Sequence, residues 1–343
     1  MDFGLAVNVD LTVVWAFLIA FAVFAYVVLD GFDLGLGMLF AIAPEKRDRD
    51  VMMNSVAPVW DGNETWLVLG GGGLFAAFPL AYALVMPALY APIIAMLLAL
   101  IFRGVAFEFR WRTVRWRPVW DLAFIAGSSM ASFAQGVALG ALLQGIDVDM
   151  ASRSYAGGWF DWLTPFSVVT GIAVMAGYCL LGATWLVMKT EGDLQERMRR
   201  IAWIAGLTSL GFIGVVSLWT PFLQDGYYNR WFTGWGIGLA VMVGGAVLLV
   251  AWRMFHSLNV HRHEYRPFLQ AITLFALCFV GLGICMWPYV VPVEVTIWDA
   301  AAPEKSQIFM LVGALVLVPL ILAYTAYAYW IFRGKIDPEA GYH

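Results

Sequence analysis

Nine long runs of apolar residues follow one another along the chain, and they decide the fold class. Hydrophobic residues make up 62% of the 343 residues and charged residues only 13%, whereas soluble domains are near half apolar and a quarter charged. A helix needs about 20 residues to cross ~30 Å of hydrocarbon. The sequence therefore predicts an all-α polytopic membrane protein with nine spans, at approximately 11–40, 55–78, 80–102, 119–142, 163–188, 201–223, 233–254, 267–291 and 307–332.

The basic residues predict how these spans are oriented. Seventeen of the 20 Lys and Arg fall after the odd-numbered spans, and only Arg153, Arg230 and Lys305 fall in the other connections. By the positive-inside rule the N-terminus is then outside and the C-terminus inside. The connections are short, so residues 1–343 are predicted to form a single integral membrane domain. A net charge of −4 is too small to indicate a nucleic-acid partner.

Four acidic residues stand inside or at the edge of the first two apolar runs. Asp30 and Asp33 are three residues apart near the end of span one, and Asp61 and Glu64 repeat this spacing near the start of span two. Residues three apart share a helix face, and a carboxylate at membrane depth costs roughly 2.5–3.5 kcal/mol. Spans five, six and seven contain no internal Asp, Glu, Lys or Arg. Intramembrane charge is therefore confined to the first third of the chain.

Two interpretations of these acids stay open. A carboxylic acid in a low-dielectric medium has a raised pKa and can exchange a proton near neutral pH, so the four acids suit proton uptake from the cytoplasmic side. Alternatively, they cap helices and pair with Arg103, which is expected at the cytoplasmic end of span three, and so tie spans one to three together. The spacing of Gly31 and Gly35 also predicts a close approach of helix backbones.

Residue types that ligate metals or haems are poorly placed for such a role. His256, His261 and His263 lie at or beyond the end of span seven, and His343 is the last residue. A haem held inside the membrane would need imidazoles within the spans. The cysteines, which form no C-x-x-C pair, are predicted to be buried apolar residues: Cys179, Cys278 and Cys285. We therefore expect no metal site and no haem ligands in this chain.

Several motifs resemble one family of membrane proteins, namely subunit II of the cytochrome bd-type quinol oxidases. The resemblance covers nearly the whole chain and its nine-span layout. W-D-G-N following D-G-F-D is its most specific feature, and the short connection between spans six and seven is similar to the cyanide-insensitive branch. The motifs are DGFDLGLGML, MNSVAPVWDGNETWL, GGGLFAAFP, IFRGVAFEFR and VTIWDA.

The resemblance implies a terminal oxidase of the bacterial inner membrane that oxidises quinol and reduces O2 to water. The haems, b and d or b only, belong to a partner, subunit I, and a very small third subunit often joins. Subunit II is implied to be haem-free, with two four-helix bundles (helices 1–4 over 11–142, helices 5–8 over 163–291) and a peripheral helix 9 over 307–332. Its N-terminus is periplasmic, and its membrane surroundings hold lipid and quinone.

The resemblance also implies roles for individual residues. Asp33 and Asp61 match the acids of the family near the cytoplasmic side, and Asp61 is the better candidate for a proton channel toward subunit I. Other members can carry an amide at the position of Glu64. Asp30 completes the proton pathway set. Structural or gas-access roles are implied for three further residues: Trp60, Trp66 and Arg103.

One function from another class competes with the oxidase. A proton- or ion-coupled secondary transporter would use the same acidic residues as its coupling site. Transporters usually show paired broken helices in two repeated halves, and here the later spans lack charge and no repeat is visible. These observations favour the oxidase subunit.

Overall fold

The computed structural model describes residues 10–260 and 262–337, which are mostly helical. The first helices are α1 (Leu11–Leu39), α2 (Lys46–Val56), α3 (Trp60–Ala77), α4 (Pro79–Ala88), α5 (Tyr90–Arg112) and α6 (Arg117–Gln144). A hairpin follows, made of β1 (Val148–Asp149) and β2 (Ser154–Tyr155). The remaining elements are α7 (Pro165–Lys189), α8 (Gly192–Trp219), α9 (Asp225–Phe232), α10 (Trp235–Asn259), α11 (Arg266–Met286), β3 (Tyr289–Val291), β4 (Val295–Thr296), α12 (Ile297–Ala300) and α13 (Glu304–Ile331).

Eight of the described helices are long and apolar enough to cross a membrane: α1, α5, α6, α7, α8, α10, α11 and α13. The second predicted span coincides with α3, which is not among these eight helices. This helix is less apolar because its first two turns carry Asp61, Asn63 and Glu64. The class of a helical polytopic membrane protein is therefore confirmed, and the count of nine spans stays a prediction.

The third span was predicted at 80–102, and these bounds are wrong. The chain breaks at Leu89, between α4 and α5, where φ is −105° and ψ is 20°. Pro92 explains the break, because a proline ring clashes with the carbonyl four residues earlier, here that of Ala88. The long helix α5 therefore starts at Tyr90 and ends at Arg112. Arg103 is expected at the end of span three. In the structure it lies about 14 Å before the end of α5, measured along the helix axis at 1.5 Å per residue.

Helix α1 contacts α3, α6 and α7, and its crossing with α7 is the closest approach in this part of the fold. A Cβ at Gly35 would lie 1.7 Å from the carbonyl oxygen of Tyr178, and one at Gly182 would lie 2.5 Å from the backbone nitrogen of Leu36. A Cβ at Gly31 would lie 2.7 Å from the Tyr178 ring. The close approach predicted from Gly31 and Gly35 is therefore present, and it is made with α7.

Helices α1 and α5 end on the same side of the fold, which we call the basic end. Ion pairs hold the helices together on this side. Arg110 on α5 is fully buried, and its Nε donates to Asp121 of α6 at 2.5 Å. Arg110 Nη1 donates to Asp50 of α2 at 2.7 Å, and Arg49 Nη1 donates to Asp121 at 2.9 Å. The short helix α2, which the sequence did not predict, is thereby fastened to α5 and α6. The opposite end carries the two hairpins, and we call it the hairpin end.

Helix α13 lies at the periphery, because no residue in its most apolar stretch is buried. Contacts near both of its ends hold it in place. At the hairpin end Trp15 Nε1 donates to the carbonyl oxygen of Gln307 at 3.2 Å. At the basic end Lys189 Nζ donates to the carbonyl oxygen of Phe332 at 2.5 Å. Polar contacts at both ends therefore help to attach the helix, in addition to the ring contacts of Tyr329 with Phe32 and Trp185.

Lys335 fixes the segment that follows α13. Its Nζ forms an ion pair with Glu264, between α10 and α11, and donates to the carbonyl oxygen of Thr190 at 2.7 Å. Partial burial raises the pKa of Glu264, but hydrogen bonds from Lys335 and Gln195 outweigh this effect and hold that pKa below its ordinary value. The Glu264 carboxylate is therefore ionised at neutral pH, and charge contributes to the attachment of α13.

Replacing Gly35 with Ala is expected to destabilise the fold by about 1–3 kcal/mol, because overpacking forces apart atoms that already touch. Gly313→Ala is the matched control, since nothing lies within 4 Å of a Cβ at this position on α13. Thermal unfolding of the purified protein in detergent measures both variants. An unchanged midpoint for Gly35→Ala would contradict the close crossing of α1 and α7.

Candidate functional site

A buried arginine on α5 joins acidic side chains from two other helices. Arg103 Nη1 donates to Asp30 Oδ1 at 2.7 Å and to Glu64 Oε1 at 2.8 Å. Arg103 Nη2 lies 3.6 Å from Asp33 Oδ2. Asp30 and Asp33 stand one turn apart on α1, and Glu64 stands on α3. We call these four residues the Arg103 cluster.

The formal charges of the Arg103 cluster do not balance. Arg103, Asp30 and Asp33 are fully buried, whereas the Glu64 side chain is 27% exposed. Three carboxylates around one guanidinium would leave two net negative charges, and each uncompensated buried ion costs several kcal/mol. A buried carboxyl group avoids this cost by holding a proton. The arrangement can therefore bind and release a proton, and Glu64 is its member nearest to the surface.

Asn63 on α3 belongs to the site, although the sequence reasoning did not single it out. Its Nδ2 donates to Asp33 Oδ2 at 2.8 Å and to the carbonyl oxygen of Leu29 at 3.2 Å. Its Oδ1 accepts the hydroxyl of Tyr329 on α13 at 2.9 Å. The only signal was its place in W-D-G-N, because a neutral amide attracts less attention than an acid. Asn63 fixes Asp33 and connects the peripheral helix to the site.

Aromatic rings cover the Arg103 guanidinium. Trp60 and Phe107 stack with their centroids 4.7 Å apart, and the Arg103 Cζ lies 5.9 Å from each ring centre. Cation–π attraction at this distance stabilises a desolvated guanidinium. Arg103 Nε and Nη2 have no hydrogen-bond partner within the described part of the chain, so these rings form much of its surroundings. Trp60, expected to be a structural or gas-access residue, therefore packs against the cluster.

Trp66 lies on α3 outside the Arg103 cluster. It is 1% exposed and packs with Ala22 and Tyr26 of α1. Phe21 meets the Trp66 ring edge-on, with 5.6 Å between the centroids. Trp66 is thus a packing residue between α1 and α3, and its place beside a gas route stays a prediction.

Asp61 lies outside the Arg103 cluster. It was expected to face Asp33, but the structure places Asn63 there. Asp61 is exposed at the start of α3, and Glu64 follows it three residues later. Its placement at the surface leaves the role in proton uptake as a prediction. Of the four predicted acids, the structure therefore brings together Asp30, Asp33 and Glu64.

The structure places the histidines and cysteines as follows. His256 is exposed near the end of α10 and stacks on Trp252, and His263 lies in the next connection. His261 and His343 lie outside the described residues. The three cysteines are free: Cys179, Cys278 and Cys285. Among the described residues, no group of three or more His, Cys, Asp or Glu side chains could hold a metal ion.

Comparison with protein families gives a match over nearly the whole chain. The family model described as cytochrome bd terminal oxidase subunit II matches residues 11–332. This range includes every transmembrane helix and all members of the Arg103 cluster.

Curated relatives and a solved structure agree with this match. Cytochrome bd-I ubiquinol oxidase subunit 2 of Escherichia coli strain K12 is 33% identical over 363 residues, covering 95% of each chain. Cytochrome bd ubiquinol oxidase subunit 2 of Bacillus subtilis strain 168 is 30% identical, covering 94% of this chain and 96% of its own. A chain of the bd oxidase structure from Geobacillus thermodenitrificans superposes with a TM-score of 0.79 at 17% identity, over 94% and 98% of the two chains. This last likeness shows the fold.

Replacing Arg103 with Met is expected to lower the free energy of unfolding by about 3–5 kcal/mol, because the buried acids lose the only cation close to them among the described residues. The matched control is Arg112→Met on the same helix. The Arg112 side chain is 77% exposed and bonds Glu108 at 3.2 Å, and an exposed pair contributes about 1 kcal/mol or less. Thermal unfolding in detergent measures both variants. Equal midpoints would show that the Arg103 cluster does not hold the fold.

Proposed function

The chain belongs to the cytochrome bd terminal oxidase subunit II family, and from this premise we propose its task. It serves as the haem-free subunit II of an inner-membrane complex that oxidises quinol and reduces O2 to water. Its partner is a haem-bearing subunit I, and a very small third subunit completes the complex. Because the relatives are ubiquinol oxidase subunits, ubiquinol or a related quinol is the proposed substrate of the whole complex.

The specific contribution proposed for this chain is proton uptake toward subunit I. The observation that carries the proposal is the charge imbalance of the Arg103 cluster: three carboxyl groups surround one guanidinium, and only Glu64 reaches the surface. A purely structural ion pair would need one carboxylate for one arginine. The additional carboxyl groups give the cluster the capacity to hold a proton without disrupting the pair.

The path proposed for the proton begins at Asp61. This exposed residue stands at the basic end, and Glu64 lies about 4.5 Å further along the α3 axis. Glu64 receives the proton and exchanges it with the buried carboxyl groups, of which Asp33 lies farther from Arg103 than Asp30 does, at 3.6 Å against 2.7 Å. Arg103 stabilises each carboxylate while it is ionised. Asn63 holds Asp33 in place through its amide.

We propose that the basic end faces the cytoplasm, so that the N-terminus is periplasmic. The support is the concentration of Lys and Arg in the connections at this end. We count α3 as the ninth crossing, since its 18 residues span about 27 Å. Two four-helix bundles then follow, α1 with α3, α5 and α6, and α7 with α8, α10 and α11, with α13 outside them.

The haems of the complex are assigned to subunit I because the residues present here do not fit a haem. The described histidines, His256 and His263, lie at the basic end of α10 and in a connection, rather than between packed helices. The proton path proposed for this chain therefore includes no iron ligand. Its residues take up protons, hold charge and support assembly.

We place subunit I against the outer face of α3. This face continues from Asp61 and Glu64 along exposed apolar residues, with Val68 at 73% and Phe75 at 60%. Gly71 has open space around its Cα, where a Cβ would meet nothing within 4 Å, and small residues let a neighbouring helix approach closely. A proton leaving Glu64 along this face reaches the partner directly.

Glu64→Gln and Asp61→Asn are expected to slow quinol oxidation by the purified complex about tenfold or more, because loss of a positioned proton-transfer group typically costs 10²–10⁴-fold in rate. Haem content per complex should stay at the wild-type value. Turnover is measured with a soluble quinol, and proton uptake with a pH indicator enclosed in vesicles. A collapse of haem content would instead assign the two acids to assembly.

Glu108→Gln is the matched control. It makes the same chemical change on α5, where the side chain is 51% exposed and bonded to Arg112. Wild-type turnover is expected for this variant. If Glu64→Gln behaves like Glu108→Gln, the proposed route for the proton is wrong.

A further inference from the structure

The connection between α5 and α6, at the basic end, combines arginines with exposed apolar side chains. Residues 111–120 have the sequence WRTVRWRPVW, and the proton path proposed above does not include them. Val114 is 87% exposed and Trp116 is 59% exposed. Indole rings of membrane proteins settle at the level of the lipid headgroups, and arginine side chains reach the same level. This connection therefore lies where the headgroups of one leaflet are.

Two arginines of this connection carry charges that the protein does not neutralise. The preceding two, Arg110 and Arg112, each form ion pairs with acidic residues. Neither Arg115 nor Arg117 forms an ion pair with an acid in the part of the chain that the structure describes. Arg115 is exposed, and its Cζ lies 5.8 Å from the centre of the Trp116 ring. Two positive charges therefore remain at this surface.

Arg117 makes one long hydrogen bond and keeps the rest of its guanidinium available. Its Nε donates to the carbonyl oxygen of Arg110 at 3.4 Å, and its two Nη atoms make no hydrogen bond within residues 10–260 and 262–337. Arg117 also begins α6, whose first turn has no acid and no side-chain cap. The helix dipole adds positive charge at such an end. Because arginine donors match phosphate oxygens in geometry and charge, these groups fit a phosphate.

An apolar stripe on α6 starts beside these arginines and runs away from the basic end. Its members are exposed and three or four positions apart, so they share one face of the helix: Val119, Leu122, Ala126 and Met130. The stripe is about 17 Å long at 1.5 Å per residue. One leaflet supplies about half of the ~30 Å of hydrocarbon. The length of the stripe therefore matches the acyl chain of a lipid in one leaflet.

We propose that Arg115, Arg117 and the stripe on α6 form a binding surface for an anionic phospholipid. The phosphate of the lipid accepts hydrogen bonds from the two guanidinium groups, Trp116 lies beside the glycerol region, and an acyl chain lies along the stripe. A lipid satisfies both parts of the surface. An acidic loop of a partner protein would neutralise the arginines but leave the stripe uncovered.

The proposed lipid site is independent of the proposed proton uptake, because none of its residues belongs to the Arg103 cluster. Its test therefore needs no turnover. Glu64→Gln should bind the lipid as the wild-type protein does, whatever it does to quinol oxidation.

Photolabelling of the purified complex in nanodiscs tests the proposal. The probes are phosphatidylglycerol and phosphatidylcholine with the same photoreactive acyl chain, and mass spectrometry of peptides measures the label on residues 117–130. In the wild-type protein phosphatidylglycerol is expected to label this segment about 30-fold more than phosphatidylcholine, since each arginine near an anionic headgroup contributes about fivefold in affinity.

Three variants locate the effect. Arg115→Gln/Arg117→Gln should lower the labelling ratio to about one. Arg115→Gln alone should lower it about fivefold, and this change of an exposed side chain keeps the test decisive if the double variant fails to fold. Lys46→Gln/Arg47→Gln is the matched control, because it removes two charges at the same end, on α2, whose valines and methionines are all buried. Its ratio should equal that of the wild type.

Three results would overturn the proposal. The first is a wild-type ratio near one, and the second is a wild-type ratio in Arg115→Gln/Arg117→Gln. The third is an equal fall in the control, which would assign the preference to the overall charge of the basic end. If the double variant instead lost a partner subunit during purification while it kept the wild-type ratio, the two arginines would bind protein and not lipid.

Discussion

The positive charge of Arg103, held without exposure to water, is the constraint on which the first half of the fold depends. A guanidinium does not lose its proton in a protein, so its charge has to be compensated by neighbouring groups. Three helices therefore meet at one depth: α1 supplies Asp30 and Asp33, α3 supplies Glu64, and α5 supplies Arg103 itself. The rings of two aromatic residues close the remaining sides. The apolar surfaces of these helices would allow many arrangements, but the ion pairs select one register.

The same constraint separates the two halves of the molecule. The helices α8, α10 and α11 contact one another and α7 with no comparable buried ion pair in their described membrane-spanning parts. Their register is held by packing and by contacts such as the hydrogen bond from Ser257 Oγ to Gln270 Oε1 at 2.6 Å. Between the halves, the glycines of α1 and α7 bring backbone against backbone. Hydrogen bonds from Tyr178 on α7 to Gln135 on α6, and from Gln135 to Tyr26 on α1, cross this same boundary. The two halves are therefore joined by hydroxyl and amide groups as well as by packing.

The fold class and the acids of the site were predictable from the sequence because both carry a strong signal. Long apolar runs have few alternatives to a transmembrane helix, and a carboxylate within such a run is too costly to be incidental. The depth of Arg103 was not predictable from hydropathy, since the break at Leu89 depends on a local clash of Pro92 with a preceding carbonyl. Asn63 was missed for another reason. Neutral polar side chains are tolerated in apolar helices, and only their partners, which lie far away in sequence, show what they do.

The hydrogen bond between Asn63 and Tyr329 has a consequence for the biosynthesis of the protein. The two residues are 266 positions apart, so at 5–20 residues per second roughly 10–50 s pass between their synthesis. During that interval α1 and α3 are already in the membrane, and the amide oxygen of Asn63 lacks the hydroxyl of Tyr329 as its hydrogen-bond donor. The site is completed only when the peripheral helix arrives. Translation and insertion of α13 thus time the maturation of a site to which it contributes a single hydroxyl group.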